Sequence, residues 1–121
     1  MDKKILVVDD AMFMRSIIRK ILKEDGYTQV WEAQDGERAM ELFREVSPDL
    51  VLLDITMPGR SGLEVLEEML GLVPNVRVIM CSAVGQEMMI QKALTIGAAD
   101  FIVKPFKADE FSRIVNRCLE Q

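Results

Sequence analysis

Five short apolar stretches recur along the chain, and a segment with helical spacing follows each of them. The first, third and fourth stretches are almost continuously apolar, which is typical of parallel strands buried on both faces. The pattern predicts strands at residues 4–9, 28–33, 49–54, 76–82 and 100–104. After each strand, apolar residues return at a spacing of about 3.6, which predicts five amphipathic helices.

Capping residues support these boundaries. Asp35 is placed to cap the second helix, and Ser61 with Glu64 has the spacing of a capping box before the third. A left-handed residue is expected just after a helix, and glycines stand at three such points: Gly26, Gly71 and Gly97. Because the strand–helix units follow one another without a linker, the sequence predicts one α/β domain over residues 1–121. Right-handed crossovers would make it a doubly wound parallel sheet with helices on both faces.

Composition narrows the classes of function. The chain has 121 residues and a net charge of −5, which argues against a nucleic-acid partner. No apolar run approaches the roughly 20 residues that cross a bilayer, and the first run is too short for a secretory signal. We therefore expect a cytoplasmic protein with no membrane partner. The absence of histidine excludes catalysis or metal binding by a histidine of this chain, and Cys81 and Cys118 are expected to be reduced core thiols.

Polar side chains stand where four of the predicted strands end. Asp9 and Asp10 follow the first strand, Asp54 ends the third, Ser82 ends the fourth and Lys104 ends the fifth. If the strand order is 2-1-3-4-5, these ends are neighbours at one edge of the sheet. Taken singly, each residue has an ordinary interpretation as a solvated loop acid, a helix cap or an exposed charge. Their occurrence together at strand ends favours a site.

Three carboxylates at this edge would repel one another. At about 4 Å and an effective dielectric near 20, each like-charged pair costs on the order of 4 kcal/mol. One lysine cannot offset this repulsion, whereas a divalent cation can. Oxygen ligands partly open to water suit Mg²⁺, and Zn²⁺ is disfavoured because no cysteine or histidine is placed to bind it.

Such a cluster permits phosphoryl transfer. Asp54, the central carboxylate, could attack phosphorus and form an acyl phosphate. A metal ion would neutralise the phosphoryl oxygens and hold the reacting groups in line. Lys104 would pair with the phosphoryl group, and the Ser82 hydroxyl would donate a hydrogen bond to it.

The sequence resembles the receiver domains of bacterial response regulators. Four segments carry the resemblance, which extends over essentially the whole chain: ILVVDDAMFMR, DLVLLDITMPG, VIMCSAVGQ and GAADFIVKPF. Within that family it is most similar to the single-domain chemotaxis regulators of the CheY type. The resemblance implies a flavodoxin-like (βα)₅ fold with strand order 2-1-3-4-5. It also implies a phosphoacceptor switch that catalyses only its own phosphotransfer and dephosphorylation.

The resemblance also implies roles for the polar strand ends. Asp54 matches the phosphoacceptor, Asp10 a direct Mg²⁺ ligand, Asp9 an acid that holds the metal through water, and the carbonyl of Thr56 a further ligand. Thr56 and Val84 match two positions that tune the phosphoryl lifetime, and neither side chain can orient a water molecule as a long acid or amide would.

Three further positions match the switch machinery of the family. Lys104 matches its lysine, and the bond from Lys104 to Pro105 is expected to be cis. Ser82 matches the switch hydroxyl. Phe101 matches the switch aromatic residue, and lacking a phenol group it would act through burial of its ring. Two hydrogen bonds to a charged group contribute roughly 3–6 kcal/mol, which is comparable with the about 5.5 kcal/mol needed to reverse a two-state equilibrium.

The implied partners are a CheA-like sensor histidine kinase as phosphodonor, a phosphatase, and a target protein. The target would bind the face made by the fourth helix, fifth strand and fifth helix, and the flagellar motor switch is the expected target. We expect a monomer. Four alternatives remain open: a phosphorelay intermediate, a receiver excised from a larger regulator, an aspartyl phosphatase of the haloacid-dehalogenase type, and a flavin-binding protein. Thr56 stands where that phosphatase has an acid, and Asp9 with Asp10 would repel a flavin phosphate.

Overall fold

Strands and helices alternate along the chain, as the hydrophobic pattern predicts. The computed structural model describes residues 2–120. Five strands form one parallel sheet in the order β2-β1-β3-β4-β5, which confirms the predicted fold class. The strands are β1 (Lys4–Val8), β2 (Gln29–Ala33), β3 (Leu50–Asp54), β4 (Arg77–Ala83) and β5 (Asp100–Lys104). The helices are α1 (Met12–Glu24), α2 (Gly36–Val46), α3 (Gly62–Leu72), α4 (Glu87–Ile96) and α5 (Ala108–Glu120).

Helices cover both faces of the sheet, which explains why the central strands are continuously apolar. Every residue of β3 is buried. Alternate residues of this strand point to opposite faces, so Val51 and Leu53 pack under α2, α3 and α4. Leu50 and Leu52 pack under α1 and α5. Both cysteines lie buried and unpaired in this second cluster, as expected, and burial raises the pKa of the Cys81 thiol to about 12.

The helix caps agree with the sequence at most positions. The Asp35 carboxylate accepts a hydrogen bond from the Arg38 backbone N–H at 2.8 Å, and Ser61 with Glu64 forms the predicted capping box. Two of the three candidate glycines have positive φ, +94° at Gly26 and +137° at Gly97.

The prediction for Gly71 was wrong. It lies inside α3, which continues to Leu72, and its φ is not in the left-handed region. The helix continues because Leu70 still packs against the core beneath α3, and a glycine costs a helix only about 1 kcal/mol. Among the described residues, no helix is long and apolar enough to cross a membrane.

Candidate functional site

The register of the parallel sheet brings the polar strand ends to one edge. Val8 lies beside Leu53 in the β1–β3 pair, so Asp9 follows β1 next to the end of β3. Asp54 is in register with Cys81 of β4, and Ala83 is in register with Lys104 of β5. All these strands run in the same direction, so their carboxyl ends form one common edge.

Three carboxylates meet at this edge, as the sequence predicts. One oxygen from each of Asp9, Asp10 and Asp54 lies within 4.8 Å of the others. Asp54 is only 7% exposed and Asp9 is buried, whereas Asp10 faces solvent. The Lys104 ammonium lies 3.0 Å from Asp9 Oδ2 and 3.5 Å from Asp54 Oδ1. With every group ionised, one lysine leaves two negative charges of the cluster unbalanced.

Burial dominates the electrostatics of Asp54. It raises the pKa of this carboxyl from 3.8 to about 6, and the charge of Asp9 acts in the same direction. Lys104 and a hydrogen bond from the Thr56 backbone oppose the shift. Lys104 itself is partly desolvated, which lowers its pKa, but its hydrogen bond to Asp9 and the charge of Asp54 outweigh burial, so the pKa is raised. Lys104 therefore remains cationic at neutral pH.

The donor set fits a hard divalent cation. All three convergent side chains offer carboxylate oxygens, and Asp10 provides access to solvent. Mg²⁺ prefers oxygen ligands, retains several waters and is bound through one or two carboxylates. Two positive charges would also balance the excess negative charge of the cluster. Asp10 borders an open cavity of about 590 Å³ that also contacts Pro58 and Arg60.

Ser82 is buried next to this cluster in a way that the sequence did not reveal. Its hydroxyl is fully buried and has no hydrogen-bond partner among the described residues. An unsatisfied buried polar group costs about 1–3 kcal/mol. The hydroxyl would therefore gain from an acceptor that arrives at the end of β3.

Gln86 links the two loops that flank Asp54, and the sequence analysis overlooked it. Its Nε2 donates to Thr56 Oγ1 at 2.6 Å, and its Oε1 accepts the backbone N–H of Ala83 at 2.7 Å. Gln86 therefore ties the residue after Ser82 to a position expected to tune phosphoryl lifetime. The segment VIMCSAVGQ ends on this residue, but nothing in its spacing indicates the contact.

Arg15 was overlooked as well. It is 9% exposed, and its guanidinium contacts the backbone of Asp9 and the side chain of Glu32. A signal was present, because Arg15 stands three and seven residues before Ile18 and Leu22, on the buried stripe of α1.

An apolar groove lies between α4 and β5, away from the carboxylates. It has a volume of about 210 Å³ and is lined by Val84, Ile90, Phe101 and Val103, among others. The ring of Phe101 is partly exposed at 36%, and Val84 and Met88 nearby are 76% and 77% exposed. The bond from Lys104 to the following proline is cis, as predicted.

Comparison with known proteins identifies the family. Residues 5–116 match the family model described as the response regulator receiver domain. The chain belongs to this receiver family. It is 48% identical over 119 residues to chemotaxis protein CheY of Bacillus subtilis, covering 98% of this chain and 99% of that protein.

Two further receiver relatives differ in role and context. Sporulation initiation phosphotransferase F of B. subtilis is 38% identical over 119 residues, which is 98% of this chain and 95% of that protein. The crystal structure of the receiver domain of NtrX from Brucella abortus superposes with a TM-score of 0.93 at 37% identity, covering 98% of this chain and 99% of that chain.

Membership fixes the general activity. The chain is a CheY-like receiver domain of a two-component response regulator, a phosphoacceptor regulator rather than a classical enzyme. Receiver domains take phosphoryl groups from histidine kinases and bind downstream targets, and they generally use Mg²⁺ at an acidic pocket. The cluster of Asp9, Asp10 and Asp54 is such a pocket. The individual roles assigned to these residues stay predictions.

Proposed function

We propose that this receiver is a phosphorylation-activated chemotaxis switch whose phosphoacceptor is Asp54. The observation that carries the proposal is the meeting of Asp54 with Asp9, Asp10 and Lys104 at the edge of the sheet. A nearly buried carboxylate beside one cation and two further acids is suited to nucleophilic attack on a phosphoryl group. We assign residues 1–121 to one cytoplasmic, monomeric receiver domain.

The chemistry assigns a task to each residue of the cluster. An ionised Asp54 oxygen forms the new bond to phosphorus as the bond to the kinase histidine breaks. Lys104 stays cationic and contacts the transferred group. Asp10, Asp54 and the Thr56 carbonyl would hold Mg²⁺ directly and Asp9 through water; when bound, this ion supplies charge neutralisation for the phosphoryl oxygens. Loss of the phosphoryl group to water returns Asp54 to its free state.

The switch uses the buried hydroxyl of Ser82. A phosphoryl oxygen on Asp54 gives this orphaned donor a charged acceptor, a bond that contributes about 1.5–3 kcal/mol. Ser82 moves toward the acceptor and leaves space beside β5. The Phe101 ring, now partly exposed at the groove, turns into that space and reshapes the α4-β5-α5 face.

The exposed apolar side chains of this face support a protein target. Val84, Met88 and Phe101 together offer more apolar surface than isolated exposed residues do. The similarity to CheY supports the flagellar motor switch as target and a CheA-like kinase as donor. The similarity to sporulation initiation phosphotransferase F supports a second candidate, a relay intermediate that passes its phosphoryl group to another histidine. Back-transfer to a histidine phosphotransfer protein would distinguish the two.

Phosphorylation of Asp54 is tested with acetyl phosphate and Mg²⁺. Intact-protein mass spectrometry should show a phosphorylated species for the wild type and none for Asp54→Asn, because an amide is not a nucleophile here. Asp109→Asn removes an exposed carboxylate on α5 and should be labelled like the wild type. Mg²⁺-dependent labelling of Asp54→Asn at the wild-type level would refute the assignment.

The role of Ser82 is tested with beryllofluoride, which mimics a phosphoryl group on an aspartate. In the wild type, Mg²⁺ and beryllofluoride should shift the backbone amide signals of residues 101–103. Ser82→Ala should still bind the mimic but lose most of these shifts, whereas Ser16→Ala, at an exposed position of α1, should keep them. Undiminished shifts in Ser82→Ala would remove this hydroxyl from the switch.

A further inference from the structure

Arg15 is a buried cation that the phosphoryl chemistry does not use. Its Nη1 donates to the carbonyl oxygen of Asp9 at 2.6 Å, and its Nε donates to Glu32 Oε1 at 3.0 Å. Burying a charge is costly unless the charge is paired and hydrogen-bonded. The ion pair with Glu32 accounts for the charge. It does not account for the second bond, which reaches across to the residue that precedes Asp10.

Asp9 is held at every polar group that it has. Its N–H donates to the Ala33 carbonyl at 3.1 Å. Its Oδ1 accepts the Ala11 N–H at 2.9 Å, and its Oδ2 accepts from Lys104 at 3.0 Å. Arg15 binds the remaining group, the carbonyl oxygen. Asp9 is therefore fixed by β2, the start of α1, β5 and the interior of α1.

Asp10 has the opposite character. Its carboxylate is exposed and accepts no hydrogen bond from any of residues 2–120, yet it reaches the cluster with Asp9 and Asp54. Among residues 2–120, no hydrogen bond to this side chain sets its direction, so the backbone conformation at Asp10 has a large influence on it. The Asp9 carbonyl and the Asp10 nitrogen belong to one planar peptide group. The hydrogen bond from Arg15 to the carbonyl therefore also fixes the orientation of the peptide plane that leads into Asp10.

Glu32 in turn orients the Arg15 guanidinium that binds the Asp9 carbonyl. Its Oε1 accepts from Arg15, and its Oε2 accepts from Arg19 at 2.7 Å. The planar guanidinium is thus oriented by a carboxylate on β2 before it reaches the Asp9 carbonyl. Groups that orient a metal ligand from outside typically change metal affinity by 10–100-fold when they are removed.

We infer that Arg15, oriented by Glu32, is a positioning residue that directs the Asp10 carboxylate into the cluster and thereby sets its affinity for Mg²⁺. The inference rests on the proposed function, since it takes Asp10 to be a cation ligand. The change in Mg²⁺ affinity that it predicts for loss of Arg15 is opposite in sign to a simple charge effect. Removing a positive charge near the site would strengthen Mg²⁺ binding, whereas loss of positioning weakens it.

Calorimetric titration of MgCl₂ into the unphosphorylated protein tests the inference. Arg15→Met keeps much of the apolar stem and should weaken Mg²⁺ binding by about 10–100-fold. Arg15→Lys keeps the charge but cannot span both partners, so it should also bind Mg²⁺ more weakly. Arg113→Met makes the same chemical change at an exposed arginine of α5 that contacts neither Glu32 nor Asp9, and it should bind Mg²⁺ like the wild type.

A second readout separates positioning from general damage. With acetyl phosphate, the labelling rate of Arg15→Met should return to the wild-type value at saturating Mg²⁺ and fall below it at low Mg²⁺, because Asp54 is untouched. If circular dichroism shows that Arg15→Met does not fold, Arg15→Lys takes its place, because it keeps the charge and its loss of Mg²⁺ affinity then reports lost positioning.

The outcomes distinguish this inference from the proposed function. A wild-type protein that binds no Mg²⁺ would overturn the proposed function itself. A wild-type protein that binds Mg²⁺, with folded Arg15 variants that bind it equally well or more tightly, would overturn the role of Arg15 alone.

Discussion

At the scale of single residues, Gly62 shows how closely α3 approaches the end of β3 at Asp54. A Cβ atom at this position would lie 2.2 Å from the carbonyl oxygen of Asp54 and 2.8 Å from the Cα of Ile55. The Gly62 N–H also donates to the Ile55 carbonyl at 2.8 Å. The clash would be with backbone, which cannot yield as a flexible side chain can, so any larger residue must displace the end of β3.

Gly62→Ala should therefore lower the free energy of unfolding by about 2 kcal/mol or more, as overpacking of a tight site does. Gly71→Ala is the matched control, because its Cβ would meet nothing within 4 Å. In the last turns of α3 it should be neutral or stabilise by up to about 1 kcal/mol. Urea unfolding of both variants measures the difference, and equal stabilities would contradict the steric argument.

The sequence reveals some of the site residues and conceals others for a physical reason. Asp54 is evident because it ends an apolar strand, and Asp9 and Asp10 because they directly follow one. The register of a parallel sheet must then bring the three together. Arg15 and Gln86 act through contacts between elements that are distant in the chain, and helical spacing does not specify those contacts. The position of Arg15 on the buried face of α1 predicts only that the side chain is buried, and it does not predict which carbonyl the side chain binds.

At the scale of elements, the Gln86 bridge couples the loop after β4 to the loop after β3. The carboxamide forms hydrogen bonds with Thr56 and with the N–H of Ala83, the residue that directly follows Ser82. Movement of Ser82 toward Asp54 would pull on these bonds. The bridge therefore stabilises the resting position of the loop after β4.

Gln86→Ala should loosen this loop. Each hydrogen bond contributes about 1 kcal/mol net, so losing the bond to the Ala83 N–H should speed its exchange with solvent by about fivefold. Hydrogen exchange followed by NMR measures this rate. Gln91→Ala, at an exposed position of α4, should leave it unchanged, and an unchanged Ala83 rate in Gln86→Ala would show that the bridge does not hold the loop.

Element boundaries were predictable to within about a residue because polar residues interrupt the apolar runs close to the strand ends. The fifth predicted strand coincides with Asp100–Lys104, whereas β1 ends one residue before Asp9 and β4 runs one residue beyond Ser82. The exception at Gly71 arises because packing of α3 against the core outweighs the weak helix propensity of one glycine. Tertiary contacts of this kind are not visible in the local sequence.

At the scale of the whole molecule, the fold holds Asp54 in a position that is unfavourable for its charge. The native pKa of about 6 lies above the unfolded value near 3.8, so the native state binds more protons between these values. The contribution of this group to stability is present below pH 4 and is lost as pH rises through 6. A cation bound in the cluster would offset this loss of stability at neutral pH.

In EDTA at pH 7, Asp54→Asn should be more stable than the wild type by about 1–3 kcal/mol. The difference should shrink toward pH 4, where the wild-type carboxyl is protonated in both states. Adding Mg²⁺ at pH 7 should stabilise the wild type and not the variant. Urea unfolding at the two pH values checks these results, and a difference that does not change with pH would show that burial does not penalise the charge of Asp54.

The buried thiol beside Asp54 provides a built-in probe of local opening of the sheet. Cys81 is in register with Asp54, and only a thiolate reacts with alkylating reagents. The pKa of this thiol is about 12 and the residue is only 2% exposed. At neutral pH the sulfur can therefore be alkylated only while the central strands are separated. In a Cys118→Ser background, the alkylation rate of Cys81 would measure how often the carboxyl end of the sheet opens. It would also show whether a phosphoryl mimic on Asp54 makes that opening rarer.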